Sequence, residues 1–458
     1  MGNNPRSSVS EACSAFAAGL AYSRIPAEVR DKVKLLVLDW LGCALRGAMS
    51  SNAAPARAFL TTMGGAPQAH AVGEPELSNV VNVAFFNGYV GHILEMDDVD
   101  RESISHPGTV VIPAALALSE WLGKNGEDLI TAIVAGYEVM LRIGAAVTPA
   151  HYEIWHTTGT AGVFGSTAAA GRLLDLPETR LNWAMGSAGS MAAGLWQFLH
   201  DGAMSKYLHT GKAAANGVLA AYLAARDFTG ASRILEGTQG FFAGYARQSV
   251  DESLFEDFGQ RFRTLTVSVK PYPCCRHTHS AIDAANALRA RGSGAGMTRI
   301  VLHTYRTALD IAGLRNPKTT REAKFSLAWC VAATLLKGLP TEGHFSREAL
   351  GNADIRRLID KIEVMEDPDL SAVMPEQWPA RMDIHYADGT VLSERVESPK
   401  GDPGNPVTWQ EAADKFRLMV KPRLSPQNAE AVIDACVSLD TIRSAGGITA
   451  LLSPSGTS

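Results

Sequence analysis

Over the first 260 or so positions, apolar residues recur every three or four places with polar residues between them, which predicts helices. "PAEVRDKVKLLVLDWLGCAL" opens with Pro26, a residue suited to a first helical turn. "NVVNVAFFNGYVGHILEM" and "VIPAALALSEWLG" predict the next helices, the second beginning near Pro113. Three runs rich in small residues follow: "GTAGVFGSTAAAGRLL", "WAMGSAGSMAAGLW" and "GKAAANGVLAAYLAA". Gly and Ala on a helix face let backbones approach closely, so these runs predict the central helices of a tight bundle.

Near residue 260 the period changes to two. "RTLTVSVKPYP" and "RIVLHTY" predict strands, and "ARMDIHYADGTVLSERV" predicts a hairpin turning at Ala-Asp-Gly. "HSAIDAANALRAR" and "REAKFSLAWCVAATLLKG" predict helices among them. "SPKGDPGNP" reads as a Gly/Pro connector. The tail, with "WQEAADKFRLMV" and "NAEAVIDACVSL", returns to helical spacing and is expected to dock on the first domain. The fold class is therefore mostly α. A large all-helical bundle is expected from residues 1–265 with 405–458, and a smaller α+β domain from 266–404.

Composition narrows the function classes. Hydrophobic residues make up 46% of the 458 positions and charged residues 19%, enough for a sizeable core. Acidic residues outnumber basic ones, 47 to 42, and no long Lys/Arg run occurs, which argues against nucleic acid or an anionic membrane as partner. No long uninterrupted apolar stretch predicts a membrane span. The start "MGNNPRSSVSEACSAFAAGL" lacks a secretory pattern, and Arg6 stands where a myristoylation signal wants Ser or Thr. The six cysteines are scattered apart from Cys274 and Cys275, as fits a reducing cytoplasm.

Four stretches concentrate reactive side chains. In "HILEMDDVDRESISHPGTVV", an acidic cluster (Glu95, Asp97, Asp98, Asp100) precedes His106, which Pro107 biases to an extended conformation. Helix ends with solvated acids and a capping histidine would read the same way. In "HYEIWHTTGTAGVFG", His156 precedes a Gly-rich helix start that favours anions, or Thr157 or Thr158 merely caps the helix. In "MSKYLHTGKAAANG", Lys206 and His209 share a face if helical. A lysine in such an Ala-rich stretch needs an anionic partner if buried, or snorkels to solvent. In "VKPYPCCRHTHSAIDA", Lys270, Cys275, Arg276 and His279 gather at a proline-stiffened corner. Zinc fits that run poorly, because adjacent thiols do not readily share one ion and no second ligand pair follows. Walker, GxGxxG, HExxH and GxSxG motifs are missing, which leaves Lys, His, Arg and acidic groups suited to acid–base chemistry on an anionic substrate.

These stretches, with "EAKFSLAWCVAATL" and "GDPGNPVTWQEAADKF", occur in an order that resembles the MmgE/PrpD family. The resemblance covers most of the chain. Members of that family include 2-methylcitrate dehydratase, cis-aconitate decarboxylase and iminodisuccinate epimerase. It implies a helical domain carrying both termini, an α+β lid domain, a homodimer, an active site in a cleft between the domains, and no metal or organic cofactor. His106 matches the family's His-Pro motif. His156, Lys206 and Lys270 match pocket positions, His279 the histidine near the start of the lid helix, and Asp97 and Asp98 the paired aspartates. Glu95, Cys275 and Trp329 stand where the well-studied decarboxylases carry Asp, His and Tyr, which argues against decarboxylation as the specific reaction.

The expected chemistry is that of a cofactor-independent lyase acting on a di- or tricarboxylate, with dehydration of a 2-methylcitrate-like hydroxy acid as the leading reaction. Lys206 and Lys270 would stabilise negative charge beside a carboxylate, with His106 and His156 as acid and base and Glu95 or Asp97 orienting them. His209, Cys275, Arg276, His279 and Trp329 are expected around the substrate. Epimerisation beside a carboxylate and decarboxylation need the same stabilised carbanion. A non-catalytic carboxylate-binding dimeric scaffold is the reading of another class.

Overall fold

A buried 22-residue helix, Gly126–Val147, organises the larger unit, and Asn125 and Asp128 cap its start reciprocally. It is long and apolar enough to cross a membrane by length and composition, but 94% of its apolar 18-residue part is buried within the protein, the setting of a core helix. It crosses Gly162–Leu173 at two glycines. A Cβ on Gly136 would lie 2.7 Å from the Gly165 carbonyl, and one on Gly165 would lie 2.9 Å from the Gly136 carbonyl. Backbone contact of this kind is what the small-residue runs predict.

This computed structural model describes residues 8–292 and 296–452, so the Met-Gly start and Arg6 lie outside the described residues. The chain forms two units. One is Met1–Val267 with Thr408–Ser458, the other Ser268–Val407. In the larger unit, helices Ala27–Ala48, Val80–Gly91, Gly108–Leu122, Glu178–Ser190 and Ser205–Ala224 surround the core pair. The tail helix Trp409–Val420 packs on Ala27–Ala48, burying Phe416 completely. There Lys415 Nζ donates to Asp39 (2.5 Å) and to the Met96 carbonyl (2.8 Å).

Several boundaries differ from the sequence pattern. The unit is not all-helical: β1 (Ala69–His70) and β2 (Leu77–Ser78) form a two-residue antiparallel pair. The helix expected to run to Met96 stops at Gly91, and the next starts at Gly108 with Pro113 inside it, because Asp98 accepts from Gly108 N and caps the earlier position. The run ending at Trp196 leaves its helix at Ser190.

The strand expected in "RTLTVSVKPYP" does not form. Arg263–Thr266 is a 3₁₀ turn instead. The buried Glu138 carboxylate accepts from Arg263 N (3.0 Å), Thr264 N (2.8 Å) and the Thr264 hydroxyl (2.7 Å), and pairs with Arg142. That removes the donors a ladder would need, and Pro271 and Pro273 supply none.

In the smaller unit, β3 (Met297–Thr304), β4 (Ile362–Glu366), β5 (Ala380–Tyr386) and β6 (Val391–Val396) form one sheet in the order β4–β3–β5–β6. β3 and β4 are parallel and the other pairs antiparallel, with β5–β6 the expected hairpin. β4 was not apparent from periodicity. Helices His279–Ala290 and Leu327–Lys337 supply Ile282, Leu288, Trp329 and Val331 to a core shared with Ile300, Leu302 and Ile384 of the sheet. The long run expected as one helix breaks at Phe325, where Ser326 caps the second part.

Candidate functional site

Residues 92–107 join the helices Val80–Gly91 and Gly108–Leu122 in a loop held from several sides. Asp100 Oδ2 accepts from Ser103 N (2.9 Å) and Ser103 Oγ (2.7 Å), and its backbone bridges to Ser105. Asp98 accepts from Tyr137 Oη (2.7 Å) and from Gly108 N (2.9 Å). A Cβ on Gly108 would lie 2.8 Å from both Asp98 carboxylate oxygens, so glycine is needed for that seat. Glu95 (φ 58°) and Ile104 (φ 45°) take left-handed backbone conformations that cost an L-residue about 1–2 kcal/mol. Such strain persists where the surroundings impose it, and it concentrates at functional sites.

The loop delivers two histidines to a third from a separate segment. His92 Nδ1 donates to Asp97 Oδ2 (2.7 Å), and His106 Nδ1 donates to the Asp98 carbonyl (2.7 Å). Asp97 Oδ2 also lies 3.5 Å from His106 Nδ1. Carboxylates and carbonyls only accept, so both rings carry a proton on Nδ1, which leaves Nε2 as the atom that can take up or release a further proton. His156, fixed by its backbone to Gly194, meets His209 with the two Nδ1 atoms 3.2 Å apart. One ring nitrogen from each of His92, His106 and His156 lies within 4.8 Å of the other two. Beside them Lys206 Nζ donates to Glu95 Oε1 (2.6 Å), and that oxygen is 3.8 Å from His92 Nε2. All of these residues are buried.

Burial sets the charge states. It pushes the His156 pKa well below the usual range, helped by Lys206 and the neighbouring histidines. The same effect, with Lys212, His92 and Lys206, lowers His209 to about 4. Both rings are neutral at pH 7. Asp98 is raised to about 7, mainly by burial and also by Asp97, against the bonds from Tyr137 and Gly108. Its unfolded value is near 4, so between about pH 4 and pH 7 the folded chain binds the extra proton and stability falls as pH rises. Asp98→Asn removes that dependence. The melting temperature of the variant relative to the parent is expected to climb from pH 4 to pH 7 and then level off. A flat difference across that window would contradict the assignment.

Six of the residues singled out from the sequence, Glu95, Asp97, His106, His156, Lys206 and His209, thus come together in the larger unit. His92, which completes the cluster, was missed because it sits inside an apolar run that reads as helix. Its spacing three before Glu95 and five before Asp97 was the available signal.

Lys270, Cys275, Arg276, His279 and Trp329 belong to the smaller unit. Lys270 is buried there and helps depress the neighbouring His277, which burial takes to about 3. Arg276 donates to the Lys400 carbonyl (2.9 Å) and meets His279 Nδ1 (3.0 Å), tying the corner to the Gly/Pro connector. Cys275 N donates to the Lys324 carbonyl (2.9 Å). Trp329 is a core residue at 0% exposure, and its indole donates to the His344 carbonyl (3.0 Å).

Mostly helical architecture, a second unit with a four-stranded sheet, and a buried histidine–carboxylate–lysine cluster gathered beside a strained loop define a class of two-unit α-rich proteins with a polar site inside the larger unit. The family models for the MmgE/PrpD N-terminal domain and the MmgE/PrpD C-terminal domain match residues 11–253 and 272–439, so the chain belongs to the MmgE/PrpD family. Similar curated proteins include the cis-aconitate decarboxylase of Aspergillus terreus, 26% identical over 96% of this chain and 95% of the relative. The human cis-aconitate decarboxylase is also 26% identical, over 97% of this chain and 94% of the relative. A cis-aconitate decarboxylase-like protein of Aspergillus oryzae is 24% identical over 95% of each chain.

Proposed function

We propose that the protein is a lyase acting on a di- or tricarboxylate, with the histidine cluster moving protons at a carbon beside a carboxylate. The observation that carries this reading is the convergence of His92, His106 and His156 next to the Lys206–Glu95 pair. Charge that develops on the substrate carboxylate as the carbanion forms is offset by the Lys206 ammonium in a buried, water-poor setting. His106 takes the proton on Nε2. Once charged, His106 can return that proton to the departing hydroxyl, with neutral His156 as its helper, and Asp97 keeps His92 and His106 oriented. Lys270 of the smaller unit is assigned to a substrate carboxylate on the family resemblance alone, as is assembly into a homodimer.

Dehydration of a 2-methylcitrate-like hydroxy acid is the leading reaction. It requires a base and then an acid, roles that one histidine can fill in turn by taking the proton and passing it to the leaving hydroxyl. Decarboxylation is the second reading, favoured by the names of the relatives; it needs only a protonation after CO2 leaves. One assay separates them. Purified protein is incubated with 2-methylcitrate, citrate, cis-aconitate and iminodisuccinate, following alkene absorbance, CO2 and optical rotation. Alkene formation from a hydroxy acid supports dehydration, and CO2 from cis-aconitate supports decarboxylation. Loss of rotation alone means epimerisation, and silence in all three from a protein that still binds the acids would overturn the enzymatic reading.

A further inference from the structure

Three imidazoles with neighbouring nitrogens are also a ligand set. His92 is 0% exposed and His156 1%, and the Nε2 of each is buried with no hydrogen-bond partner. A polar nitrogen left this way costs free energy unless a ligand satisfies it. The second nitrogen of each ring is already oriented: Asp97 holds His92, the Asp98 carbonyl holds His106, and His209 meets His156. The carboxylate behind His92 and the carbonyl behind His106 are the support that metal-bound histidines use, because such a partner fixes the tautomer and raises the basicity of the outward nitrogen; behind His156 the partner is the His209 ring. The surrounding charge suits a cation, since Glu95 balances Lys206 and leaves Asp97 beside two of the rings.

We infer that His92, His106 and His156 form a site for a divalent transition cation of the zinc class, and that its occupation suspends turnover. Neutral imidazole is the preferred nitrogen ligand for such ions, and three histidines with an open fourth position is a familiar zinc geometry. Metal–nitrogen bonds of about 2.0–2.1 Å in a tetrahedron bring the nitrogens to about 3.3 Å apart. The three nitrogens, now within 4.8 Å of one another, would close that gap by rotation of the rings. Harder ions such as magnesium and calcium prefer oxygen donors and are not expected there. The binding claim stands on ring geometry alone. The inhibition claim rests on the acid–base reading above, because the metal would occupy the lone pairs assigned to proton transfer.

Cobalt(II) tests both parts. The full chain, first dialysed against a chelator, is titrated with Co2+ while visible d–d absorption and turnover are recorded. The expected result is intense tetrahedral-type bands saturating at about one Co2+ per chain. Turnover falls in step and returns on adding EDTA. Asp97→Asn is expected to keep the bands while weakening affinity about 10–100-fold. His92→Gln, checked for folding by circular dichroism, is expected to abolish them. Absence of bands in the parent, or bands unchanged in folded His92→Gln, would overturn the site. Bands that saturate while turnover continues would overturn the inhibition claim and count against histidine acid–base chemistry, leaving the site itself standing.

Discussion

The His106→Ala variant is expected to lose about 10²–10⁴-fold in turnover, the usual contribution of a positioned acid–base group, while keeping its fold. The backbone of His106 is held independently of its ring: its N donates to Thr158 Oγ1 (3.1 Å), and the Asp98 cap on Gly108 fixes the residues that follow. Alanine preserves both. The variant forfeits the bond to the Asp98 carbonyl, an effect of about 1–3 kcal/mol on stability, which leaves most of a typical domain's margin. Measuring kcat at saturating substrate beside a circular dichroism melt separates the two effects. A folded variant with a rate within a few-fold of the parent would remove His106 from the chemistry.

Lys206→Met is expected to affect both rate and stability. Lys206 and Glu95 form a buried ion pair, with side chains 7% and 8% exposed. Removing one member of such a pair costs about 3–5 kcal/mol, because the other charge stays in a poorly solvating place. Loss of an ammonium aimed at the developing negative charge should also lower kcat about 10²–10³-fold, as loss of one such donor does elsewhere. The double variant Lys206→Met, Glu95→Gln distinguishes the contributions. Without the stranded carboxylate, it is expected to regain most of the stability in urea unfolding and none of the turnover. Recovery of turnover in the double variant would make the pair structural. A rise in KM with kcat unchanged would make Lys206 a binding group only.

The sequence was most legible where one element dictates its own pattern. Helical spacing located the long helices, the Ala-Asp-Gly turn located the β5–β6 hairpin, and Gly and Ala runs marked helices whose backbones touch, as at Gly136 and Gly165. For Lys206 in its Ala-rich helix the sequence left burial on an anionic partner and snorkelling to solvent both open; the fold takes the first, with Glu95 as the partner. Legibility failed where a distant residue decides. "RTLTVSVKPYP" alternates like a strand, but Glu138, more than a hundred positions earlier, takes its backbone donors. His92 looked like helix because nothing local shows that the helix stops at Gly91 and that Asp97 turns back to hold the ring. Trp329 matched a pocket position by resemblance, whereas the fold packs its indole into the core and bonds it to His344.

Hydrogen exchange at carbon tests the central claim most directly. The protein is incubated in D2O with each candidate polycarboxylate, and NMR follows deuterium at the carbon next to a carboxylate, in recovered substrate and in product. Enzyme-dependent incorporation that drops at least about 100-fold in His106→Ala is the predicted result. Turnover with no deuterium at that carbon, or incorporation at the same rate in parent and variant, would contradict the account.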